Sequence, residues 1–343
     1  MNQNTQVHAI ANHLQTDFDC YFTPAYIDHG IVKTCTKMGL ADFTVLGERF
    51  RLQALDYFNS NNLQIDEGGR KHRYDLVVVT SDLVVPKNIL NTRRVLVQEG
   101  MTDPETVMYH IVRKLKLPRY LASTATQGLS NLYDIFCVGS EGYKKLFISK
   151  GVDPTKIRVT GIPNYDNVKQ FLNNDFPYKN YVLVATSDTR ETMKFVNHKK
   201  FVKNVAKIAA GRPIIFKLHP NEKVERSSKL IKSIIPDARI FSTGNTDHMI
   251  ANCDVLITQY STVVYIGIAL GKEVHSYFDV DTLRELAPIQ NDGQSAQNIA
   301  ELCREIIVTE ATVDVQSDRA KQTRFRNHRA TTLQYADRYS RTS

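Results

Sequence analysis

Asp254–Leu270, DVLITQYSTVVYIGIAL, reads as a single β-α unit. The apolar run Asp254–Thr258 stops abruptly on Gln259-Tyr260-Ser261-Thr262, and a second apolar run begins at once. A short apolar run bounded by polar residues is a strand buried on both faces, as in a parallel sheet. The second run predicts a helix over Thr262–Leu270. Ser261 or Thr262 is then placed as its N-cap, where free N–H groups and the positive end of the helix dipole favour an anion. A cap without a ligand fits the same residues.

Working outward, the pattern recurs. Tyr181–Ala185 (YVLVA) runs into Thr186-Ser187-Asp188-Thr189-Arg190-Glu191, and Pro213–Leu218 (PIIFKL) into His219-Pro220-Asn221. Arg239–Phe241 and Glu273–Tyr277 are further strands, and Lys194–Ala210 carries Val202, Val205, Ile208 and Ala209 at the spacing of one helix face. Ala296–Ile307 is another helix. An earlier series holds Asp75–Val79, Arg94–Val97, Asp134–Val138 and Lys156–Val159. Strands alternating with helices imply parallel sheets with right-handed crossovers. Two series divided near residue 165 predict an α/β protein of two Rossmann-like domains, their parallel sheets facing across a cleft. The expected divisions are 1–165, 166–315 and a helical tail, 316–343, that can cross back to the first domain.

Open α/β sheets bind ligands off the carboxyl ends of their strands, so the polar residues there are the candidates. Pro220 holds His219 extended, able to donate to a phosphate or ribose oxygen, with Lys217 adding positive charge; a satisfied turn histidine is the plain alternative. Thr186 and Ser187 form a hydroxyl cluster, and Arg190 can pair with a phosphate through its planar fork or make an intrahelical ion pair. Gln98-Glu99-Gly100 follows Arg94–Val97, and a carboxylate beside a glycine suits a general base; a structural Glu capping the next segment is the alternative. Thr160-Gly161-Ile162-Pro163-Asn164 is a tight turn between the series or a plain loop. The economical arrangement binds a donor on the second series and draws a base from the first.

Composition bounds the partners. The chain has 343 residues, 42% hydrophobic and 23% charged, which is globular, and a net charge of +8. The excess sits in Arg113–Arg119 (RKLKLPR) and in the tail with Lys321, Arg324, Arg326 and Arg329. Such segments are a solvated face or meet lipid headgroups or a phosphate-bearing acceptor. No basic run is interleaved with aromatics, so no nucleic-acid partner is expected. No apolar segment has the length of a membrane span, and the polar N-terminus lacks a secretory pattern. The expected location is cytoplasmic, extending to peripheral association with the inner membrane face. Cys20, Cys35, Cys137, Cys253 and Cys303 are far apart and read as reduced core thiols.

On these residues the chain resembles the bacterial GT-B transferases that use cytidine-activated donors: CDP-glycerol glycerophosphotransferases, polysialyltransferases and capsular β-Kdo transferases. Their KLHP motif corresponds to Lys217–Pro220, their TDYSS to Thr258–Thr262 (TQYST) and their TGxPxxD to Thr160–Asp166. An acidic-acidic-Gly motif corresponds to Gln98–Gly100, which would make Glu99 the base, and an aromatic-Asp segment to Tyr277–Asp279. Gln98, Gln259 and Thr262 depart from the usual residues. The resemblance implies a GT-B-like fold and inverting transfer of a sugar or polyol phosphate. It implies a CMP- or CDP-linked donor, with a UDP-linked one as the other option, and a glycan or lipid-linked hydroxyl as acceptor. It also implies that no cofactor and no obligatory metal take part. The donor would touch Lys217, His219, Pro220, Gln259, Tyr260, Ser261, Thr262, Thr186, Ser187, Arg190, Gly161, Asn164 and Asp279. The layout is also similar to non-hydrolysing UDP-GlcNAc 2-epimerases, through Val97–Gly100, Thr160–Asn164 and Thr186–Thr192. A non-catalytic nucleotide-binding protein on this fold is the third reading.

Overall fold

The structure, a computed structural model, describes residues 2–28, 47–187, 197–220 and 222–308. The N-terminal region, for which the sequence offers no motif, forms α1 (Asn2–Asn12), β1 (Tyr21–Phe22), α2 (Glu48–Ser60) and β2 (Gln64–Ile65). β1 and β2 pair in parallel. Ala11, Phe22, Ala54 and Phe58 give this region a small core of its own.

The first large sheet is β3 (Leu76–Val79), β4 (Arg93–Val97), β5 (Ile135–Val138) and β6 (Ile157–Val159), all parallel and in sequential order. Val95, Leu96 and Val97 are fully buried, each side chain stabilising the fold by about 1.5–3 kcal/mol. α3 (Val107–Leu115) follows β4 and α4 (Glu141–Ser149) follows β5. α4 begins because Ser140 Oγ accepts the Tyr143 N–H at 3.1 Å.

The second sheet holds β7 (Val182–Ala185), β8 (Ile214–Lys217), β9 (Arg239–Phe241), β10 (Val255–Thr258) and β11 (Glu273–His275). Its helices are α5 (His198–Ala209), α6 (Val224–Ile234), α7 (Thr246–Asn252), α8 (Val264–Ala269) and α9 (Val280–Leu286), with another over 295–308. Val202, Val205 and Ala209 of α5 are buried against the sheet, as their spacing predicts. All strands are parallel in the order β11-β10-β7-β8-β9. The order reverses between β7 and β10, which pair in register from Val182↔Val255 to Ala185↔Thr258. A doubly wound sheet opens its ligand crevice at that reversal.

One buried cluster joins Leu96, Phe136 and Val138 of the first sheet to Leu183 and Leu256 of the second. Tyr143, Ile162, Tyr165 and Tyr265 belong to the same cluster. Both sheets accordingly lie in one compact unit, Met1–Ile299; Ala300–Ser343 forms another. Among the described residues no helix is long and apolar enough to cross a membrane. Cys137, Cys253 and Cys303 are buried thiols and Cys20 is half-buried. Arg190, Asn221, Cys35 and the basic tail 316–343 lie outside the described residues.

Two boundaries differ from expectation. β11 stops at His275, where Ser276 Oγ and the Tyr277 N–H turn to the Gln259 carbonyl. The helix predicted over Thr262–Leu270 starts only at Val264, with Val263 at its N-cap and no side-chain cap. Ser261 and Thr262 are therefore not N-caps: their carbonyls accept the Val264 and Tyr265 N–H groups in a tight first turn.

Candidate functional site

The carboxyl ends of the two sheets meet through glycine. A Cβ on Gly100, after β4, would lie 2.8 Å from Thr262 Cγ2, after β10, so only a residue without a side chain lets these loops touch. The Tyr165 phenol is hydrogen-bonded to Thr262 from the crossover between sheets, and it lies in the electrostatic field of both Glu99 and Asp247. Tyr143 and Tyr265, one from each half, share a hydrogen bond of 2.6 Å. Burial pushes the Tyr143 phenol up to about 12, so this seam is neutral at ordinary pH. A cavity of about 140 Å³ opens beside it, lined by Glu99, Gly100, Met101, Thr124, Gln127 and Thr262.

Glu99 is the acid of that cavity. Burial raises its carboxyl above the usual carboxylate range, and a hydrogen bond from Gln3 pulls it part of the way back. The bond runs from Gln3 Nε2 to Glu99 Oε2 at 2.7 Å, while Gln6 Nε2 donates to the Glu99 carbonyl at 2.8 Å. Gln3 and Gln6 are one helical turn apart and share a face of α1. Thr5 Oγ1 donates to Asn164 Oδ1 at 3.2 Å. α1 thus reaches two candidate residues, which the sequence did not suggest: a polar helix with glutamines has no local mark of chemistry. Asp247, on the first turn of α7, is a second carboxyl raised by burial.

Gln98 explains its own departure from an acid. Its Nε2 donates to the Gly100 carbonyl at 2.7 Å and its Oε1 accepts the Gly139 N–H at 2.9 Å. An amide does both and an ionised carboxylate cannot. Gln98→Glu, which places an acid there, is expected to lose about 2 kcal/mol of stability, because a carboxylate cannot donate to that buried carbonyl. Urea unfolding would measure this, and an unchanged midpoint would mean the amide is not needed.

The second sheet's loops are tied to one another. Ser187 Oγ accepts the Tyr260 N–H at 3.2 Å across the β7/β10 reversal. Thr186 Oγ1 accepts the His219 N–H at 3.0 Å and itself donates to Glu222. Glu222, missed in the sequence, also accepts from Ser227 Oγ at 2.8 Å and so clamps the His-Pro loop; its place three residues after His219 is the local sign. His219 is half-buried and Pro220 exposed. Gln259 is buried, and among the described residues its Nε2 has no hydrogen-bond partner. Tyr260 lies edge-on to Tyr277 and Phe278, at 5.3 and 5.2 Å between centroids.

Three candidates spend their polar atoms elsewhere. The buried Lys217 amine donates to the Leu218 carbonyl at 3.1 Å and the Ser242 carbonyl at 3.4 Å, and burial lowers its pKa. Asp279 caps α9 by accepting Thr282 N–H at 2.8 Å and Thr282 Oγ1 at 2.6 Å, which holds its carboxyl low. Gly161 has φ +85°, and a Cβ there would meet Ser295 Oγ at 2.1 Å, so its close approach is to the protein itself. Asp166 accepts the Ser295 N–H at 2.9 Å in the same buckle. Among the described residues no cluster of three His, Cys, Asp or Glu could hold a metal ion.

No family model matches the chain, and no curated protein does. Solved structures do. S. aureus MnaA with UDP has 10% identity and TM-score 0.51, covering 87% of this chain and 92% of that one. A putative UDP-N-acetylglucosamine 2-epimerase from Listeria monocytogenes has 12% identity and TM-score 0.49, covering 91% and 86%. The wall teichoic acid polymerase TagF has 11% identity and TM-score 0.45, covering 90% and 98%. The likeness to MnaA is one of fold: two facing Rossmann-like sheets of the GT-B type.

Proposed function

We propose that this chain is an inverting GT-B transferase, moving a sugar or polyol phosphate from a nucleotide-activated donor to a hydroxyl of a glycan or lipid-linked acceptor. The observation that carries it is the contact of Gly100 with Thr262, which sets a half-buried carboxyl beside the loop at the sheet's reversal point. The half before residue 165 serves the acceptor and 166–315 the donor. The donor lies over the β7 and β10 ends. Ser187 and Glu222 shape that surface through the Tyr260 and His219 backbones, and His219, Ser261 and Thr262 face the donor's phosphate and ribose. Lys217 acts by tying the carboxyl ends of β8 and β9 together through the Leu218 and Ser242 carbonyls. The Glu99 carboxylate takes the acceptor hydroxyl's proton as its oxygen bonds to the donor's transferred group, and the nucleotide leaves with the electron pair.

A melting-temperature comparison with CMP, CDP, UDP and GDP tests the donor half. A ligand selective for the folded state raises the midpoint by mass action, by about 2.7 kcal/mol of stability at a hundredfold excess over Kd. Cytidine nucleotides are expected to shift it most. No shift with any nucleotide would refute the reading. A uridine preference would favour the second reading, a sugar-nucleotide epimerase, which the fold shared with a UDP-bound structure supports. Conversion of UDP-GlcNAc to its 2-epimer would establish that alternative.

A further inference from the structure

Between Glu99 and β5 the chain makes an excursion that returns to the cavity. Its neck is closed by Asp103, whose N–H donates to Thr124 Oγ1 at 2.8 Å and whose carboxylate accepts from Ser123 Oγ at 2.8 Å. Thr124 and Gln127 then line the cavity with Glu99. The inner side of the excursion is packed: Tyr109, Val112, Ala122 and Ala125 form a small buried cluster.

Its outer side is apolar and uncovered. Fifteen large hydrophobic residues are exposed among the described ones, and seven of them fall within 107–121. Val107, Ile111 and Leu115 repeat every fourth residue along one line of α3, with Met108 beside them; Val107 is 76% and Leu115 63% exposed. Leu117, Tyr120 and Leu121 extend the surface past the left-handed Lys116. A soluble monomer rarely leaves so concentrated an apolar surface to water. Residues 107–121 also carry Arg113, Lys114, Lys116 and Arg119 and no acidic residue. Arg113 is held to the Tyr109 hydroxyl and Arg119 to Asp82, while Lys114 and Lys116 are exposed.

We propose that residues 107–121 dock this protein on an anionic lipid surface. An apolar helix face edged by lysine and arginine buries its side chains among acyl chains and its charges among headgroups. A second copy of the chain is the poorer occupant, because a two-fold contact would set the basic residues of this segment against one another. The neck then holds the Glu99 cavity near the lipid, where a lipid-linked hydroxyl is presented. This last step rests on the proposed transferase reading; the docking does not.

The test floats the full chain with vesicles of phosphatidylcholine containing about 30% phosphatidylglycerol, against phosphatidylcholine alone. Binding is expected to the anionic vesicles, weakened by salt, and reduced roughly tenfold in the double variant Ile111→Glu, Leu115→Glu. Both positions are exposed, so circular dichroism and the thermal midpoint should be unchanged. Lys114→Glu, Lys116→Glu gives an independent arm that spares the apolar stripe and should also lower binding. No flotation of the wild-type chain, or flotation of both double variants equal to that of the wild-type chain, overturns the proposal. So does a dimer in sedimentation velocity that Ile111→Glu dissociates without any vesicle binding. Nucleotide-induced melting shifts, measured on the same variants, report separately on the donor site: their absence sinks the transferase reading and leaves docking standing.

Discussion

Glu99→Gln is expected to lower donor turnover by about a thousandfold, the ordinary worth of a positioned general base. Nucleotide affinity should hardly change, because on the proposed reading Glu99 acts on the acceptor hydroxyl and the nucleotide is held by His219, Ser261 and Thr262. The amide keeps the size of the carboxyl and still offers an oxygen to Gln3 Nε2. Folding should not suffer either, since burial already favours the neutral carboxyl. The sign of the pH dependence follows. In the native chain the folded pKa of Glu99 lies above its unfolded value. Its contribution to stability is therefore largest below the unfolded pKa and declines as pH rises toward the folded one. Turnover runs the other way: it needs the ionised form and falls as pH drops through the raised pKa. The variant should lose that limb of the pH–rate profile together with the rate. Isothermal titration with nucleotide beside steady-state turnover decides the matter; equal loss of both would make Glu99 a structural residue.

Gly142→Ala is expected to cost about 3 kcal/mol of stability, at the upper end of the usual penalty for overpacking. Gly142 lies in the first turn of α4 against the end of α9. A Cβ there would fall 2.0 Å from the Glu285 carbonyl oxygen and 2.8 Å from its carbon. These are backbone atoms, so no rotamer change relieves the clash. The same stretch is already fixed by Ser140 Oγ donating to the Leu286 carbonyl at 3.0 Å and by Ile289 N–H donating to the Gly139 carbonyl at 2.9 Å. The methyl must separate α4 of the first half from α9 of the second and strain both bonds. Urea denaturation measures the loss, and a drop below about 0.5 kcal/mol would show that the two helices are free to part.

Much of the fold was legible because parallel strands are written as local apolar runs. Tyr181–Ala185, Pro213–Leu218 and Asp254–Thr258 each stop where the sheet surface ends, and each strand appears within a residue or two of its run. The polar stations after those strands were legible for the same reason. The error at Ser261 and Thr262 has a local cause. A hydroxyl before an apolar run is a good cap by propensity, but here the chain tightens into a turn at Ser261 and the helix begins later. Thr262 is drawn instead to Gly100 and Tyr165, partners more than ninety residues away.

By itself, then, the sequence determined the alternation of strands and helices, the split into two series and the positions where polar residues leave a strand. Propensity and burial act within a few residues of one another. Strand order, the reversal between β7 and β10, the covering of Glu99 by α1 and the commitment of Lys217 and Asp279 to the backbone were decided only in three dimensions. Each depends on which distant group occupies the neighbouring space, and no periodicity along a chain records that. Gly100 shows the difference most plainly: in the sequence it is a glycine after an acid, and in the fold it is the point where two sheets can touch.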